Sequence, residues 1–189
     1  MRALVLTLLL AVMPLIRSLG DELQLTNVVK ASLTFREESN PSAHYPHVLQ
    51  VYLCLENRHD SDVTWVCNQV EGVEAELLNS QGKPVPQPPS VASISSNPHS
   101  YSLPFGSRLE WMLSHGGISM FHDPKKPQPQ EECALMVGSR GWLIPRDSLS
   151  SYSLRLRVRG WPWTRSEMIA PAGGGKVLFD VLATKITVK

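Results

Sequence analysis

The residues best suited to bind a ligand are basic and aromatic side chains near the end of the chain. Three arginines alternate along one segment and are followed by two tryptophans and a fourth arginine: Arg155, Arg157, Arg159, Trp161, Trp163 and Arg165. Guanidinium groups bind carboxylate or sulfate, and indole rings stack on flat partners. The spacing therefore predicts a surface for an anionic polymer or a glycan. The alternative is that the arginines solvate a sheet face while the tryptophans cover the core.

The three cysteines, Cys54, Cys67 and Cys133, are the next residues with chemistry of their own. If the chain closes as a hairpin between Arg58 and Val63, Cys54 and Cys67 lie opposite each other and can form a disulfide in an oxidising compartment. If the two segments enter different sheets, that disulfide does not form. Cys133 is expected to remain unpaired in the first case.

The histidines and hydroxyl residues do not form a recognised catalytic or metal-binding motif. His44 and His47 have H-x-x-H spacing, and His115 and His122 follow further along the chain. No H-E-x-x-H helix fixes a metal geometry, and no histidine follows Cys133 as a blue-copper loop requires. No G-x-S-x-G elbow is present for a serine nucleophile. We therefore expect no enzyme activity, no catalytic residues and no cofactor or metal ligands.

Residues 1–20 have the three parts of a cleavable signal peptide. Arg2 supplies the positive charge, Ala3 to Ile16 form an uncharged apolar run, and Ser18 and Gly20 give the small-x-small pattern that a signal peptidase accepts. The run is shorter than the roughly 20 residues needed to span a bilayer. We predict cleavage after Gly20. The alternative is an uncleaved anchor.

Residues 21–189 are then expected to form a single exported domain, either secreted or held in the periplasm or cell envelope. The whole chain has a formal net charge of +1, and losing Arg2 and Arg17 leaves it near neutral. A near-neutral balance argues against a non-specific nucleic-acid binder. No second apolar stretch reaches spanning length, so no membrane span is expected in 21–189.

Alternating apolar residues in the first half of the chain predict strands. The segment 49–56 places four apolar side chains on one face: Leu49, Val51, Leu53 and Leu55. Turn-forming residues 57–62 interrupt the pattern, and Val63 to Cys67 resume it with β-favouring side chains. The two segments form either a hairpin or a corner between sheets.

A second strong alternation covers 152–159, where Tyr152, Leu154, Leu156 and Val158 are expected to face inward and three arginines to face water. Weaker strand signals fall at 25–35, 73–79, 107–114, 133–137, 142–145 and 177–188. Little helix is expected. About seven to nine strands of this kind predict an all-β, antiparallel β-sandwich, because two sheets with one apolar face each must cover one another. A small barrel is the alternative.

The chain resembles known sandwiches in three places. These are Leu53 to Asn57 with the turn and Val63 after it, the run Gly82 to Pro86, and the strand Tyr152 to Arg159. They resemble immunoglobulin-like and fibronectin-III-like sandwiches of exported bacterial proteins. The layout is also similar to the intracellular proteinase-inhibitor family of bacilli. The resemblance spans residues 48 to 160; it implies an immunoglobulin-like fold and assigns no functional residue.

The sequence therefore predicts an exported, non-catalytic module that binds a ligand or has a structural role, with an unknown protein or a glycan as partner. A second hypothesis is a proteinase-inhibitor-like or chaperone-like protein that presents a loop such as 84–105 to its target. A small hydrolase ranks third, because scattered serines do not make a triad.

Overall fold

A computed structural model describes residues 25–39, 46–68, 72–87, 98–113, 131–138, 140–162 and 175–188. This part of the chain contains ten strands in two sheets, with one α-turn at Leu25–Val28 and one 3-10 turn at Arg146–Ser151. The prediction of an all-β protein with little helix is confirmed. None of the described helices is long and apolar enough to cross a membrane. The predicted signal peptide, residues 1–20, lies outside the described residues.

The first sheet is built around one central strand. Its five strands are β1 (Val29–Ser39), β2 (His47–Asn57), β6 (Arg108–Met112), β7 (Glu132–Val137) and β8 (Arg140–Pro145). β1 pairs antiparallel with β2 along the whole of one edge. On the other edge, β6 pairs antiparallel with the second half of β2, and β7 meets its first half in parallel. β7 pairs antiparallel with β8, and Gly138, which follows β7, has a φ of 57°.

The second sheet is organised around β9 in the same way. Its five strands are β3 (Val63–Cys67), β4 (Val73–Leu78), β5 (His99–Leu103), β9 (Ser153–Pro162) and β10 (Lys176–Ala183). β10 pairs with one edge of β9, while β4 and β3 share its other edge. β5 pairs with β3. The two central strands therefore carry most of the pairing in the molecule.

The apolar alternation in the sequence becomes the core between the sheets. Four residues of β2 are at most 1% exposed: Leu49, Val51, Leu53 and Leu55. Three residues of β9 are fully buried: Leu154, Leu156 and Val158. Burying one such side chain contributes roughly 1.5–3 kcal/mol. The predicted inward face is confirmed for these seven residues, whereas Tyr152 precedes β9 and is only partly buried against the core. This two-sheet arrangement fits a β-sandwich.

Four aromatic rings fill one part of the core and join the sheets. The ring of Trp65 stacks on Tyr101 at 5.5 Å and meets the edge of Phe179 at 5.6 Å. Tyr101 lies 5.0 Å from Trp111, which belongs to the first sheet. Since the other three rings belong to the second sheet, the Tyr101–Trp111 contact links the two layers.

The structure differs from the sequence-based expectation in two elements. Residues 25–28 form the α-turn, so β1 begins at Val29 and extends to Ser39. β5 lies inside the segment that the sequence predicts to be a loop, and only Leu103 of its five residues is buried. A strand with one buried residue has no period-two pattern of apolar side chains, so the sequence did not predict β5. The described residues contain ten strands, where seven to nine were expected.

Candidate functional site

The corner between β2 and β3 is fixed by a buried asparagine. Asn57 is only 2% exposed. Its Nδ2 donates hydrogen bonds to the carbonyl oxygens of Ser61 and Leu103, both at 2.9 Å. Its Oδ1 accepts one from the backbone N–H of His59 at 2.9 Å. A single side chain therefore holds the corner in shape and ties it to the end of β5.

The turn between β5 and β6 is fixed equally well and carries an exposed aromatic ring. Both the N–H and the hydroxyl of Ser107 donate to the carbonyl oxygen of Pro104, at 3.1 and 2.6 Å. Gly106 has a φ of 67°, a left-handed conformation that suits glycine. The N–H of Phe105 donates to Oδ1 of Asp62 at 3.0 Å. Although its backbone is fixed in this way, Phe105 is 64% exposed to solvent.

We call residues 58–62 and 104–107 the loop end. The two segments meet at one end of the sheets, because Asn57 bonds to Ser107 and Asp62 bonds to Phe105. The charged side chains of the loop end lie in the segment 58–62, among them Asp60, which is 91% exposed. Rigid loops at one end of a sandwich are a common place for binding residues. The sequence marked 57–62 only as turn-forming residues and included Pro104 and Phe105 only in a predicted loop.

The loop end also contains a histidine, an aspartate and a serine in contact. Nδ1 of His59 lies 2.7 Å from Oγ of Ser61 and 3.1 Å from Oδ1 of Asp60. A catalytic triad needs the serine and the carboxylate on different ring nitrogens. Here both partners share Nδ1, so the group does not form a proton relay. These three residues are consecutive in the sequence, and that adjacency is the signal by which the group could have been found; it was not among the predicted sites.

A second polar cluster joins β1, β2 and the 3-10 turn. Oε1 of Glu37 lies 2.7 Å from Nδ1 of His47 and 3.0 Å from Nε of Arg146. Oγ of Ser39 lies 3.2 Å from the same histidine nitrogen. His47 thus belongs to this polar cluster, and His44 lies outside the described residues. Within the described ranges, no three histidine, cysteine, aspartate or glutamate side chains are placed to hold a metal ion.

The three cysteines are free thiols. Cys54 faces outward on the first sheet, with its Sγ 3.4 Å from Oγ1 of Thr34, whereas Cys67 is completely buried in the core. The structure does not bring these two sulfur atoms together, because residues 57–63 form a corner between sheets and no hairpin. Of the two arrangements that the sequence left open, the structure has the corner between sheets, in which a Cys54–Cys67 disulfide is not expected.

Burial keeps two of the thiols protonated. It raises the pKa of Cys67 to about 12, against a smaller opposite effect of the neighbouring Trp65. Burial, assisted by the charge of Glu37 and opposed by Arg146, raises the pKa of Cys133 to about 11. The thiolate is the nucleophilic form of cysteine. Neither side chain therefore supplies a nucleophile near neutral pH.

The predicted arginine surface lies on the outer face of the second sheet and is largely neutralised there. Arg155 donates to both carboxylate oxygens of Asp180, at 3.0 and 2.8 Å, and Arg157 to one of them at 3.3 Å. Arg159 donates to Glu74. The hydrogen bond from Arg155, with help from Arg157, holds the pKa of Asp180 below its usual value. The structure places Trp161 half-buried beside this row, and Trp163 and Arg165 lie outside the described residues.

The geometry defines a two-sheet β-protein with a rigid loop end that presents an exposed aromatic ring. No protein-family model matches the chain, and no match was found among curated proteins or solved structures. The functional argument therefore depends on the positions of the described residues.

Proposed function

We propose that the chain is an exported, non-catalytic binding module that engages a protein partner through its loop end. The observation that carries the proposal is Phe105, which is 64% exposed although its turn is pinned by hydrogen bonds. An aromatic ring on a rigid turn buries a large apolar area on binding and loses little conformational entropy. Such residues, with polar groups around them, are enriched among the energetic centres of protein interfaces.

We also propose that the sandwich is immunoglobulin-like, and the order of strand pairing supports this. If β1, β2 and β6 are strands A, B and E, and β10, β9, β3 and β5 are G, F, C and C′, the pairing of these seven strands follows the immunoglobulin pattern. β4, β7 and β8 are then additions to that pattern. The fully buried Trp65 then lies on strand C, where immunoglobulin domains place a core tryptophan. In this arrangement 58–62 is the B–C loop, which belongs to the binding end of variable domains.

Two hypotheses from the sequence receive less support. The arginines of the predicted glycan surface already have acidic partners on neighbouring strands, so binding of an anionic polymer there stays a prediction. An inhibitor-like or chaperone-like role was expected to use residues 84–105. Residues 99–103 of that segment are paired with β3 as strand β5 and are not an open loop.

A capture experiment with matched variants tests the proposal. The tagged full chain, expressed with its own N-terminus in its native host, is recovered from the envelope and the medium with whatever binds it. Phe105→Ala is expected to reduce the recovered partner by about tenfold or more, the loss of a typical hot-spot residue. Leu182→Ala is the control, because Leu182 is 52% exposed on β10, away from the loop end.

Both variants should unfold at the same urea concentration as the parent chain, since each replaces an exposed side chain. Recovery of the same proteins by the Phe105→Ala and parent chains would contradict the proposal. A partner that is lost equally with Leu182→Ala would contradict it too, because binding would then not be specific to the loop end.

A further inference from the structure

The outer face of the first sheet contains a pocket of about 300 Å³, whose lining includes no residue of the loop end. Its floor consists of three short side chains on adjacent strands: Ser32, Thr34 and Cys54. The strand register places Ser32 directly beside Cys54, and Glu110 of β6 on the other side of Cys54. A solvent-facing sheet is normally covered by the stems of long side chains. Here short residues at neighbouring positions leave the sheet surface open.

Long charged side chains form the walls of the pocket, and ion pairs between neighbouring strands fix their positions. Lys30, Glu56 and Arg108 lie in one register row across the sheet, with Arg108 Nη2 3.4 Å from Glu56 Oε2. On another side, Glu110 Oε2 is 2.7 Å from Arg36 Nη2, and Arg36 lies over the ring of Tyr52 at 4.3 Å. Because these side chains form ion pairs with one another, they do not cover the three short side chains of the pocket floor. The pocket is therefore formed before any ligand enters.

The lining combines hydrogen-bond donors and acceptors, and its carboxylates are already ion-paired. Two carboxylates, Glu56 and Glu110, and two cations, Lys30 and Arg108, line the pocket, and the floor adds two hydroxyl groups. Glu56 pairs with Arg108 and with Arg58 outside the lining, and Glu110 pairs with Arg36, also outside it. A free anion or cation has to compete with these existing ion pairs. A neutral ligand that both donates and accepts at several adjacent atoms can satisfy many of these groups at once.

We propose that this pocket binds one residue of a neutral carbohydrate. Vicinal hydroxyl groups donate to the carboxylates of Glu56 and Glu110 and accept from Arg108 and Lys30. The volume lies at the low end of the roughly 300–1,000 Å³ range of small-molecule sites, which fits a single sugar ring. This site goes beyond the proposed protein partner, since it lies on the face of the first sheet and uses no residue of the loop end.

Cys54 makes the proposal testable at the site itself. It is a partly exposed thiol on the pocket floor, whereas Cys67 and Cys133 are buried. The folded full chain is alkylated with iodoacetamide in the presence of methyl glucoside, methyl galactoside or N-acetylglucosamine, and modification of Cys54 is followed by peptide mass spectrometry. At a sugar concentration about ten times Kd, alkylation slows about tenfold, because only the unoccupied fraction reacts. The urea-unfolded chain shows whether the sugar affects the reagent itself.

Two variants complete the experiment. Ser32→Gln fills the floor and is expected to abolish the protection, measured as the ratio of rates with and without sugar. Ser102→Gln makes the same change at an exposed position of β5 and should leave the ratio unchanged. The proposal is overturned if none of the sugars slows alkylation, or if protection persists in Ser32→Gln. Protection by sulfate or by glycine in place of the sugars would also overturn it, because the pocket would then select an anion or a zwitterion.

Discussion

At the scale of single residues, the side chain of Asn57 makes buried hydrogen bonds that an apolar side chain cannot make. Asn57→Ala leaves the carbonyl oxygens of Ser61 and Leu103 and the N–H of His59 without their partner. Leaving buried polar groups unsatisfied costs about 1–3 kcal/mol each before relaxation, so we expect the free energy of unfolding to fall by about 2–3 kcal/mol. Urea denaturation followed by tryptophan fluorescence measures the change.

Asn79 provides the matched control for this substitution. Like Asn57, it bonds to the backbone through its side chain. Its Oδ1 accepts hydrogen bonds from the N–H groups of Gln81 and Lys83, but in an exposed turn. Water can replace the lost partner there, so Asn79→Ala should cost less than about 1 kcal/mol. Equal losses for the two variants would mean that burial of Asn57 does not determine its contribution.

The buried thiols make a prediction about alkaline pH. In the unfolded chain a thiol titrates near 9.0, whereas Cys67 in the fold titrates at about 12 and Cys133 at about 11. Above pH 9 the unfolded state therefore releases protons that the folded state keeps, and the free energy of unfolding falls as pH rises. Cys67→Ala should make this fall shallower. Leu135→Ala, which removes a buried group that does not titrate, should lower stability without changing the slope.

At the scale of elements, the ion pairs of Asp180 on β10 with Arg155 and Arg157 on β9 should make the stability of the protein depend on acidic pH. Because the pKa of Asp180 is lowered below 3.8 by Arg155 and Arg157, its contribution to stability is present above that pH and is lost as pH falls through the folded-state pKa. Asp180→Asn is expected to lower the urea midpoint slightly at pH 7, since the partners are partly exposed to water. Below the folded-state pKa the variant and the parent should have the same midpoint. Asp147→Asn, on the 3-10 turn, is the control and should behave as the parent at both pH values.

The elements that could be predicted from sequence are those whose burial alternates. β2 and β9 place an apolar side chain at every second residue, so period alone identifies them. β5 is polar along an exposed edge and buries only Leu103, so local pattern could not identify it. The choice between hairpin and corner after Asn57 was also beyond local pattern. It depends on β6 occupying the edge of β2 that β3 would have taken, a contact made across about fifty residues of chain.

The candidate sites show the same division between local and distant information. The turn at Pro104 to Ser107 is visible in the sequence, but the exposure of Phe105 depends on how β5 and β6 enter different sheets. The pocket floor combines β1 and β2, and its walls require β6 as well. Arg155 and Asp180 are far apart in sequence, so the neutralisation of the arginine row could not be foreseen from spacing. Cross-strand register decides all three features.

At the scale of the whole molecule, each sheet is assembled from both halves of the chain. β2 is bonded to β1 on one edge and to β6 and β7 on the other, while β9 collects β3, β4 and β10. Most pairings thus join segments far apart in sequence, a topology typical of slow-folding β-proteins. The Tyr101–Trp111 contact then links the layers, so neither sheet is expected to be stable without the other.

The central place of β9 has a consequence for the order in which the protein can form during synthesis. Among the described strands, β4 pairs only with β9, and β3 has only the edge strand β5 until β9 arrives. A nascent chain that ends before residue 153 therefore cannot assemble the second sheet, and the apolar faces of its strands remain exposed to water. The polypeptide is therefore expected to remain unfolded until its last strands leave the ribosome.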